Sequence, residues 1–358
     1  MVAKFFNTAG PVNLDIHYKI DPLERIKIDE IEELVGQQKY FVLHAPRQTG
    51  KTSCLLAMRD HFNTAGEYRA VYCNVEAGQA AREDVERVIS AFCSALIREY
   101  IYLFPTEGIA DGLQDFAPDD RLTELLTRLT QLDVTKPLVL FIDEIDALIG
   151  DSLISVLRQI RAGYGRRPTA FPQSIILCGV RDVRDYRMHT EHKEIITGGS
   201  AFNIKAESLR LGSFTESEVR RLYELHTAET GQVFDGECYD LIWRYTGGQP
   251  WLVNALGYEV TSRMRDNRDR SVVITPEMMR QAKENLVYRR DTHLDQLIDK
   301  LQEERVKRVI APLLSTQECA LDNIPSDDLQ YVIDLGLVER KGSVQISNEI
   351  YQEVIPRE

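Results

Sequence analysis

The chain has 358 residues and a formal net charge of −13, and 43% of its residues are apolar and 28% charged. A chain of this length is expected to form two or three domains with sizeable cores. Its net negative charge excludes attraction of nucleic acid by the overall electrostatic field, but it does not exclude a local basic surface that binds nucleic acid. It has no apolar run of roughly 18 residues and no apolar segment at its N-terminus, so we expect a cytoplasmic protein without signal peptide, membrane helix or lipid anchor.

Apolar strands alternate with helical patterns in the first 214 residues. Residues 1–30 predict an ordered arm without regular structure. Apolar runs predict strands over residues 39–45, 68–76, 137–146, 173–182 and 207–214. Helical spacing predicts helices over residues 52–63, 82–102, 119–132 and 153–161. Strands that are apolar throughout and alternate with helices predict an α/β fold with a parallel sheet covered on both faces.

The rest of the chain is predicted to be mostly helical. A helix begins with the capping box Thr215–Glu218 and ends at Gly231. Further helices are predicted at about 235–245, 250–266 and 275–289. From about 292, three helices and a β-hairpin around Gly342 are predicted, and this order of elements indicates a winged helix. The predicted domains are an arm (1–30), an α/β core (31–213), an all-α lid (214–290) and a winged-helix domain (291–358).

Residues 44–53, HAPRQTGKTS, end like a phosphate-binding loop but begin with Ala45 where the usual motif has glycine. Gly50 allows close approach of the backbone, Lys51 would reach the β- and γ-phosphates, and the Thr52 hydroxyl would bind Mg²⁺. Pro46 lacks an N–H, so the phosphate donors must lie between Gln48 and Ser53. The predicted nucleotide-binding residues of this segment are Pro46, Arg47, Gln48, Thr49, Gly50, Lys51, Thr52 and Ser53.

A second motif, LVLFIDEID, ends the apolar strand at 137–146. Asp143 would hold Mg²⁺ through water, and Glu144 would polarise the attacking water as the catalytic base. Parallel strands carry such carboxylates to the sheet edge where α/β proteins bind ligands. The alternative is an acidic turn that only caps the following helix.

Two weaker signals complete the candidate site. Arg181 lies in the last residues of the run at 173–182, just past the expected strand tip, where it could contact the γ-phosphate, or else form a surface salt bridge with Asp182 or Asp185. Arg184 and Arg187 are lesser candidates for a contact in the same or a neighbouring subunit.

The segment YTGGQPWLVNAL (245–256) predicts a helix corner in which Pro250 starts the second helix. Pro250 could lie on the adenine base as part of a lid. Alternatively, the corner is purely structural and Trp251 packs in the core.

These motifs together resemble the AAA+-related STAND and archaeal-type ATPases of the P-loop class, and the resemblance extends to about residue 290. A following winged helix suits that class. The resemblance implies an ATPase that uses ATP, ADP and Mg²⁺, with Walker A roles for Lys51 and Thr52 and Walker B roles for Asp143 and Glu144. It implies catalytic roles for Lys51, Glu144 and Arg181, the last as sensor 1.

The same resemblance implies a lid role for Gly248 and Pro250 and places residues 17–26 at the base pocket. The sequence departs from the class at Ala45 and shows no clear arginine finger, which puts hydrolysis with a residue from another subunit in doubt. The chain also looks like a bacterial group of AAA-type ATP-binding proteins. Some members of that group carry a further nuclease-like domain at the position where this sequence stops, so an association with a nuclease, mobile element or defence system is conceivable by analogy.

The six cysteines are scattered, with no spacing typical of a metal site, and are expected to be buried free thiols.

The charge of the C-terminal residues indicates whether the partner is nucleic acid or protein. Residues 303–358 contain 11 acidic and 6 basic residues, a net charge of −5. The candidate recognition helix at 326–336 carries Asp327, Asp328 and Asp334 and no basic residue, which would repel a phosphate groove. We therefore expect a slow ATP-driven switch that binds a protein partner or itself.

The alternative is a DNA-dependent ATPase that contacts DNA through the basic residues Arg305, Lys307 and Arg308, although these could simply form a solvated helix face. A third hypothesis, a scaffold that binds nucleotide without cleaving it, is disfavoured because the candidate base Glu144 is present.

Overall fold

The computed structural model describes residues 4–181, 188–189, 195–196, 207–289, 292–314 and 324–357. The chain forms two compact units. We call the first the sheet unit, made of Pro22–His44 and Lys51–Leu211, and the second the helical unit, made of Met1–Asp21, Ala45–Gly50 and Gly212–Glu358.

A five-stranded parallel sheet forms the centre of the sheet unit. Its strands are β1 (Phe41–His44), β2 (Arg69–Asn74), β3 (Leu138–Asp143), β4 (Ser174–Gly179) and β7 (Glu207–Arg210), and a short antiparallel pair, β5 (Met188–His189) and β6 (Ile195–Ile196), lies outside this sheet. The strand order is β2-β3-β4-β1-β7, and neighbouring strands run parallel. β4 therefore separates β1 from β3, the two strands that carry the candidate nucleotide motifs.

Helices cover both faces of this sheet. They are α1 (Ile28–Gly36), α2 (Lys51–Ala65), α3 (Val85–Leu103), α4 (Pro118–Gln131) and α5 (Gly150–Ala162). Side chains of successive strand residues point to opposite faces. Leu140 and Ile142 of β3 join one core with α3, α4 and α5, whereas the ring of Phe141 lies 6.3 Å from that of Phe62 on α2. Every residue of β3 and β4 is buried, as the continuous apolar runs predict.

The predicted α/β fold with a covered parallel sheet is confirmed. Helix α1 was not predicted, although Ile31, Leu34 and Val35 lie at helical spacing on its buried face. The β5–β6 pair was also not predicted, because two-residue strands leave no periodic pattern to read. β7 ends at Arg210, four residues before the predicted end.

The helical unit contains the helices after the sheet and the N-terminal arm. Its elements are α6 (Glu216–Thr230), α7 (Gly236–Thr246), α8 (Pro250–Tyr258), α9 (Pro276–Arg289), α10 (Thr292–Leu301), α11 (Glu304–Leu314), α12 (Ser326–Asp334), β8 (Val338–Lys341), β9 (Ser343–Ile346) and α13 (Glu349–Val354). The arm residues Phe6 and Tyr18, 0% and 3% exposed, belong to the same hydrophobic core as these helices.

Local sequence signals explain several of these boundaries. α6 begins with the predicted capping box, in which Thr215 and Glu218 each accept a hydrogen bond from the other's backbone N–H, and it ends at Gly231 with a φ of 77°. The predicted hairpin around Gly342 is present as β8 and β9. The helix predicted over 250–266 is shorter, because α8 ends at Tyr258 and a π-helical turn, Glu259–Arg263, follows.

Within the described ranges, no helix combines the length and apolar character that a membrane crossing requires. Of the six cysteines, Cys54, Cys73, Cys93, Cys178 and Cys238 are buried free thiols, as expected, and Cys319 lies outside the described residues.

Candidate functional site

The candidate phosphate loop, residues 45–50, has the backbone of a compact turn. Gln48 and Gly50 have positive φ angles of 57° and 90°, and the Thr49 Oγ1 donates to the Pro46 carbonyl oxygen at 2.7 Å. Turns of this kind direct successive N–H groups toward one point and so favour anions. Ala45 is not among the described residues with positive φ, so its side chain causes no backbone strain at the position where the usual motif has glycine.

The first turn of α2 carries the polar residues of the motif. Lys51 is the first residue of the helix and is 5% exposed, and Thr52 and Ser53 follow half-buried. Unpaired backbone N–H groups at a helix N-terminus attract phosphate oxygens. The loop is therefore followed by the lysine and the hydroxyl residue at the start of a helix, which is the structural context that the motif requires.

The carboxylate of Asp143 accepts three hydrogen bonds from residues of the sheet unit. Asp143 is the last residue of β3 and is fully buried. Its Oδ2 accepts hydrogen bonds from Thr52 Oγ1 at 2.7 Å and from the Tyr72 hydroxyl at 3.0 Å, and its Oδ1 accepts from the Glu144 N–H at 3.0 Å. The structure thus brings together two motifs that lie about 90 residues apart in the sequence.

Two neutral groups beside Asp143 were not identified from the sequence. Burial, and next the charge of Asp143, raise the pKa of the Tyr72 hydroxyl, and the same two causes raise the pKa of the Cys178 thiol. Both groups therefore stay protonated at neutral pH. Tyr72 lies on β2 next to β3, and Cys178 lies on β4 opposite Leu43, so only the strand order reveals their proximity.

Glu144 has an unusual backbone. Its φ and ψ are 58° and 40°, the left-handed conformation, directly before a short 3₁₀ helix over Ile145–Ala147. Non-glycine residues adopt this conformation rarely, and strained residues of this kind are enriched at functional sites. Glu144 occupies the cap position of that helix, but its side chain makes no capping hydrogen bond, which counts against the interpretation of this carboxylate as a simple helix cap.

Arg181 lies two residues after the end of β4 and is half-buried. Because the strands are parallel, β3 and β4 end at the same edge of the sheet, so Arg181 and Asp143 follow neighbouring strand ends. The sensor role of Arg181 stays a prediction. Arg184 and Arg187 lie outside the described residues.

The predicted lid corner, Gly247–Pro250, lies in the helical unit together with the phosphate loop. Both glycines have positive φ angles, and Pro250 is buried in the first turn of α8. Gln249 caps α8 by accepting from the Leu252 N–H at 2.6 Å, and its Nε2 lies 3.5 Å from the Gln48 carbonyl oxygen. The contact between Pro250 and a base stays a prediction.

Trp251, which follows the corner, packs in the hydrophobic core, as the purely structural interpretation predicts. It is 9% exposed, and its indole N–H donates to the Thr8 carbonyl oxygen at 3.0 Å. Gln249 belongs to the segment YTGGQPWLVNAL, but nothing in the sequence predicted its contact with the phosphate loop.

Comparison with known proteins places this geometry in a family. The sequence profile described as "AAA-like domain" matches residues 8–356. The chain belongs to this AAA-like domain family. No curated protein sequence matches it significantly.

Solved structures with the same fold as this AAA-like domain protein share little sequence with it. The Walker-type ATPase of Pyrococcus abyssi has a TM-score of 0.65 at 13% identity, with 98% of this chain and 99% of that chain covered. The ORC2 protein of Aeropyrum pernix, solved as ADPNP–ADP complexes, has a TM-score of 0.52 at 15% identity, with 95% of each chain covered. Cdc6p from Pyrobaculum aerophilum has a TM-score of 0.50 at 16% identity, covering 95% and 94%. These likenesses establish the fold of a P-loop ATPase for this AAA-like domain protein.

Proposed function

We propose that the chain binds ATP with Mg²⁺, hydrolyses it slowly, and acts as a nucleotide-operated switch of the STAND or archaeal-type class. The observation that carries this proposal is the 2.7 Å hydrogen bond between Thr52 Oγ1 and Asp143 Oδ2. It joins the hydroxyl of a phosphate-loop motif to a fully buried carboxylate at the end of a parallel strand.

The chemistry of these groups fits magnesium. Mg²⁺ prefers oxygen ligands and is usually held by one or two carboxylates together with water and substrate phosphates. Thr52 and Asp143 supply a hydroxyl and a carboxylate, and no cluster of three or more His, Cys, Asp or Glu that could hold a metal occurs in the described part of the chain. Bound there, Mg²⁺ would neutralise charge on the phosphates.

The remaining roles follow from the position and charge of each side chain. Lys51 would offset the charge of the β- and γ-phosphates, and N–H groups between Gln48 and Ser53 would donate to their oxygens. Glu144 would orient a water molecule and accept its proton. Arg181, after β4, would report whether the γ-phosphate is present.

The tail supports a protein partner more than DNA. We propose that α10, α11 and α12, which precede the β8–β9 hairpin, form a winged helix together with it. Arg305 and Arg308 of α11 lie 3.7 and 3.1 Å from the carboxylate of Asp328, and Arg305 also stacks on the ring of Tyr331. Side chains that are engaged within the domain are less available to the phosphates of DNA.

One part of the charge argument from the sequence was wrong. Of the three carboxylates expected to repel DNA, Asp328 and Asp334 are 8% and 2% exposed, and only Asp327 is exposed. The preference for a protein partner or self-association therefore rests on the internal pairing of Arg305 and Arg308.

Three variants test the site. Lys51→Ala should lose ATP binding because the phosphates lose their cation, and Glu144→Gln should bind ATP without releasing phosphate. Lys136→Ala removes the same charge from an exposed side chain before β3 and should keep both properties. Binding of a fluorescent ATP analogue and phosphate release are the measurements, and unchanged turnover in Lys51→Ala or Glu144→Gln would contradict the site.

DNA dependence is tested with the same assay. A several-fold stimulation of phosphate release by duplex DNA that disappears when Arg305 and Arg308 are changed to Glu would favour the alternative DNA-dependent ATPase. The proposed switch predicts a rate that DNA leaves unchanged.

A further inference from the structure

The end of α12 lies against the phosphate loop within the helical unit. Gly336 follows α12 with a φ of 76°, and a Cβ atom added there would lie 2.8 Å from Cγ and 2.9 Å from Cβ of Pro46. No side chain fits between the two residues. We call residues 324–357 the C-terminal module, and Gly336 is its contact with the loop.

The same turn is connected to the lid corner. The Ser347 Oγ donates to the Gly336 carbonyl oxygen at 2.8 Å, and a Cβ added at Gly247 would lie 2.6 Å from the Ser347 carbonyl oxygen. At the other end of the corner, Gln249 reaches the Gln48 carbonyl oxygen at 3.5 Å. These contacts form a closed circuit from Pro46 through the C-terminal module and lid corner back to Gln48.

Ion pairs fix the C-terminal module on the lid helices. Lys283 of α9 is 7% exposed and pairs with Glu353 and, at 3.8 Å, with Glu349 of α13. Arg244 of α7 also pairs with Glu349 at 2.8 Å. The lid and the C-terminal module are thus joined independently of the loop, and both also contact it, through Gln249 and Gly336.

The loop needs such support. A positive φ at a non-glycine residue such as Gln48 persists only where surrounding structure enforces it. Pro46 has no N–H to donate to a phosphate, and its ring instead provides the surface on which Gly336 lies. The loop is therefore held on both sides of Arg47 by parts of the helical unit.

We propose that the docked C-terminal module holds the phosphate loop in its nucleotide-binding conformation, so that nucleotide affinity and docking of the module are coupled through Pro46 and Gly336. This inference rests on the proposed ATP site. By reciprocity, nucleotide must then stabilise the docked module by the same factor by which the module strengthens nucleotide binding.

Gly336→Ala tests the contact, and Gly342→Ala is its matched control. Both glycines have nearly the same φ, 76° and 78°, so both variants bear similar backbone strain, but a Cβ at Gly342 meets nothing within 4 Å. Only Gly336→Ala pushes against Pro46. We expect Gly336→Ala to bind a fluorescent ATP analogue about tenfold more weakly than Gly342→Ala, which corresponds to ~1.4 kcal/mol.

Hydrogen exchange provides a measurement without nucleotide. Exchange in peptides covering residues 45–50 should be faster in Gly336→Ala than in Gly342→Ala. With the ATP analogue, exchange in residues 326–346 should slow in the wild type and in Gly342→Ala but less in Gly336→Ala. If Gly336→Ala does not fold, Ser347→Ala, which removes the hydrogen bond to Gly336 without strain, should shift affinity and loop exchange in the same direction.

The outcomes separate the two proposals. Equal affinity and equal loop exchange in the Gly336 and Gly342 variants would overturn the coupling, as would tighter binding in Gly336→Ala. A wild-type protein that binds no nucleotide would refute the proposed function, while faster exchange of the loop in Gly336→Ala without nucleotide would still support the mechanical contact.

Discussion

Arg69 is the main polar connection at the start of β2, and replacing it tests how the sheet unit is held together. The side chain is 4% exposed. Its guanidinium donates to the carbonyl oxygens of Lys136, Leu129 and Thr130 at 2.9 Å each and of Asp133 at 2.7 Å. One arginine therefore joins the start of β2 to the end of α4 and to the loop before β3.

Arg69→Met keeps a long apolar stem but removes all of these donors. The bonds to Leu129 and Thr130 are buried, so their carbonyl oxygens lose their partner without gaining water, at about 1–3 kcal/mol each. The bonds to the carbonyl oxygens of Lys136 and Asp133 are only part-buried, so these oxygens can be rehydrated. We expect a loss of ~4 kcal/mol in the free energy of unfolding of the sheet unit, taking the middle of that range twice.

Thermal unfolding followed by circular dichroism measures this loss. For a unit of 150–250 residues, ~4 kcal/mol lowers Tm by about 8–16 °C. Arg98→Met makes the same substitution at an exposed position of α3 and should change stability by less than ~0.5 kcal/mol. Tyr100→Phe removes only the hydroxyl that Arg69 also contacts and should give an intermediate value. If Arg69→Met melts within about 2 °C of Arg98→Met, the lower end of the shift expected for only 1 kcal/mol, the network does not stabilise the unit as argued.

Two further predictions concern titratable side chains. Burial alone would lower the pKa of Lys283, but the carboxylates of Glu353 and Glu284 outweigh burial and raise this pKa. The ion pair between Lys283 and Glu353 should therefore stabilise α13 at neutral pH, and this stabilisation should be lost as pH rises above about 10.4. Limited proteolysis after α9 should accelerate in that range, and Lys283→Met should remove the pH dependence; identical profiles would contradict the linkage. Burial raises the pKa of Cys93 and of Cys238 to about 12, so native protein at pH 8 should leave both thiols unalkylated by iodoacetamide, and denatured protein should not. Peptide mass spectrometry decides this, and rapid labelling in the native protein would show that these residues open frequently.

Local motifs were readable from the sequence because their residues are consecutive. The lysine and hydroxyl residue at the start of α2 and the carboxylates at the end of β3 follow from short patterns that combine a strand end with a fixed set of polar residues. The buried strands were equally clear, because a strand covered on both faces is apolar throughout.

Contacts between distant segments were not readable. Tyr72 donates to Asp143 only because β2 pairs with β3, and β4 lies between β1 and β3 although it follows β3 in the sequence. The approach of Gly336 to Pro46 likewise leaves no local signal, since glycine after a helix is common wherever a chain must turn. Exposure of the acidic residues in α12 was misjudged because charge alone does not show which face of a helix is covered.

The packing of the N-terminal arm has a consequence for the order in which the protein can be completed during translation. Phe6, Tyr18 and Ile20 leave the ribosome first, yet the rest of their hydrophobic core begins at Phe214. The strands and helices of the sheet unit are all synthesised by Leu211, whereas the arm must wait for α6 and the helices that follow. A nascent chain therefore carries an unpartnered apolar segment through most of its synthesis, and chaperone binding to this segment should be strongest before α6 and the following helices emerge.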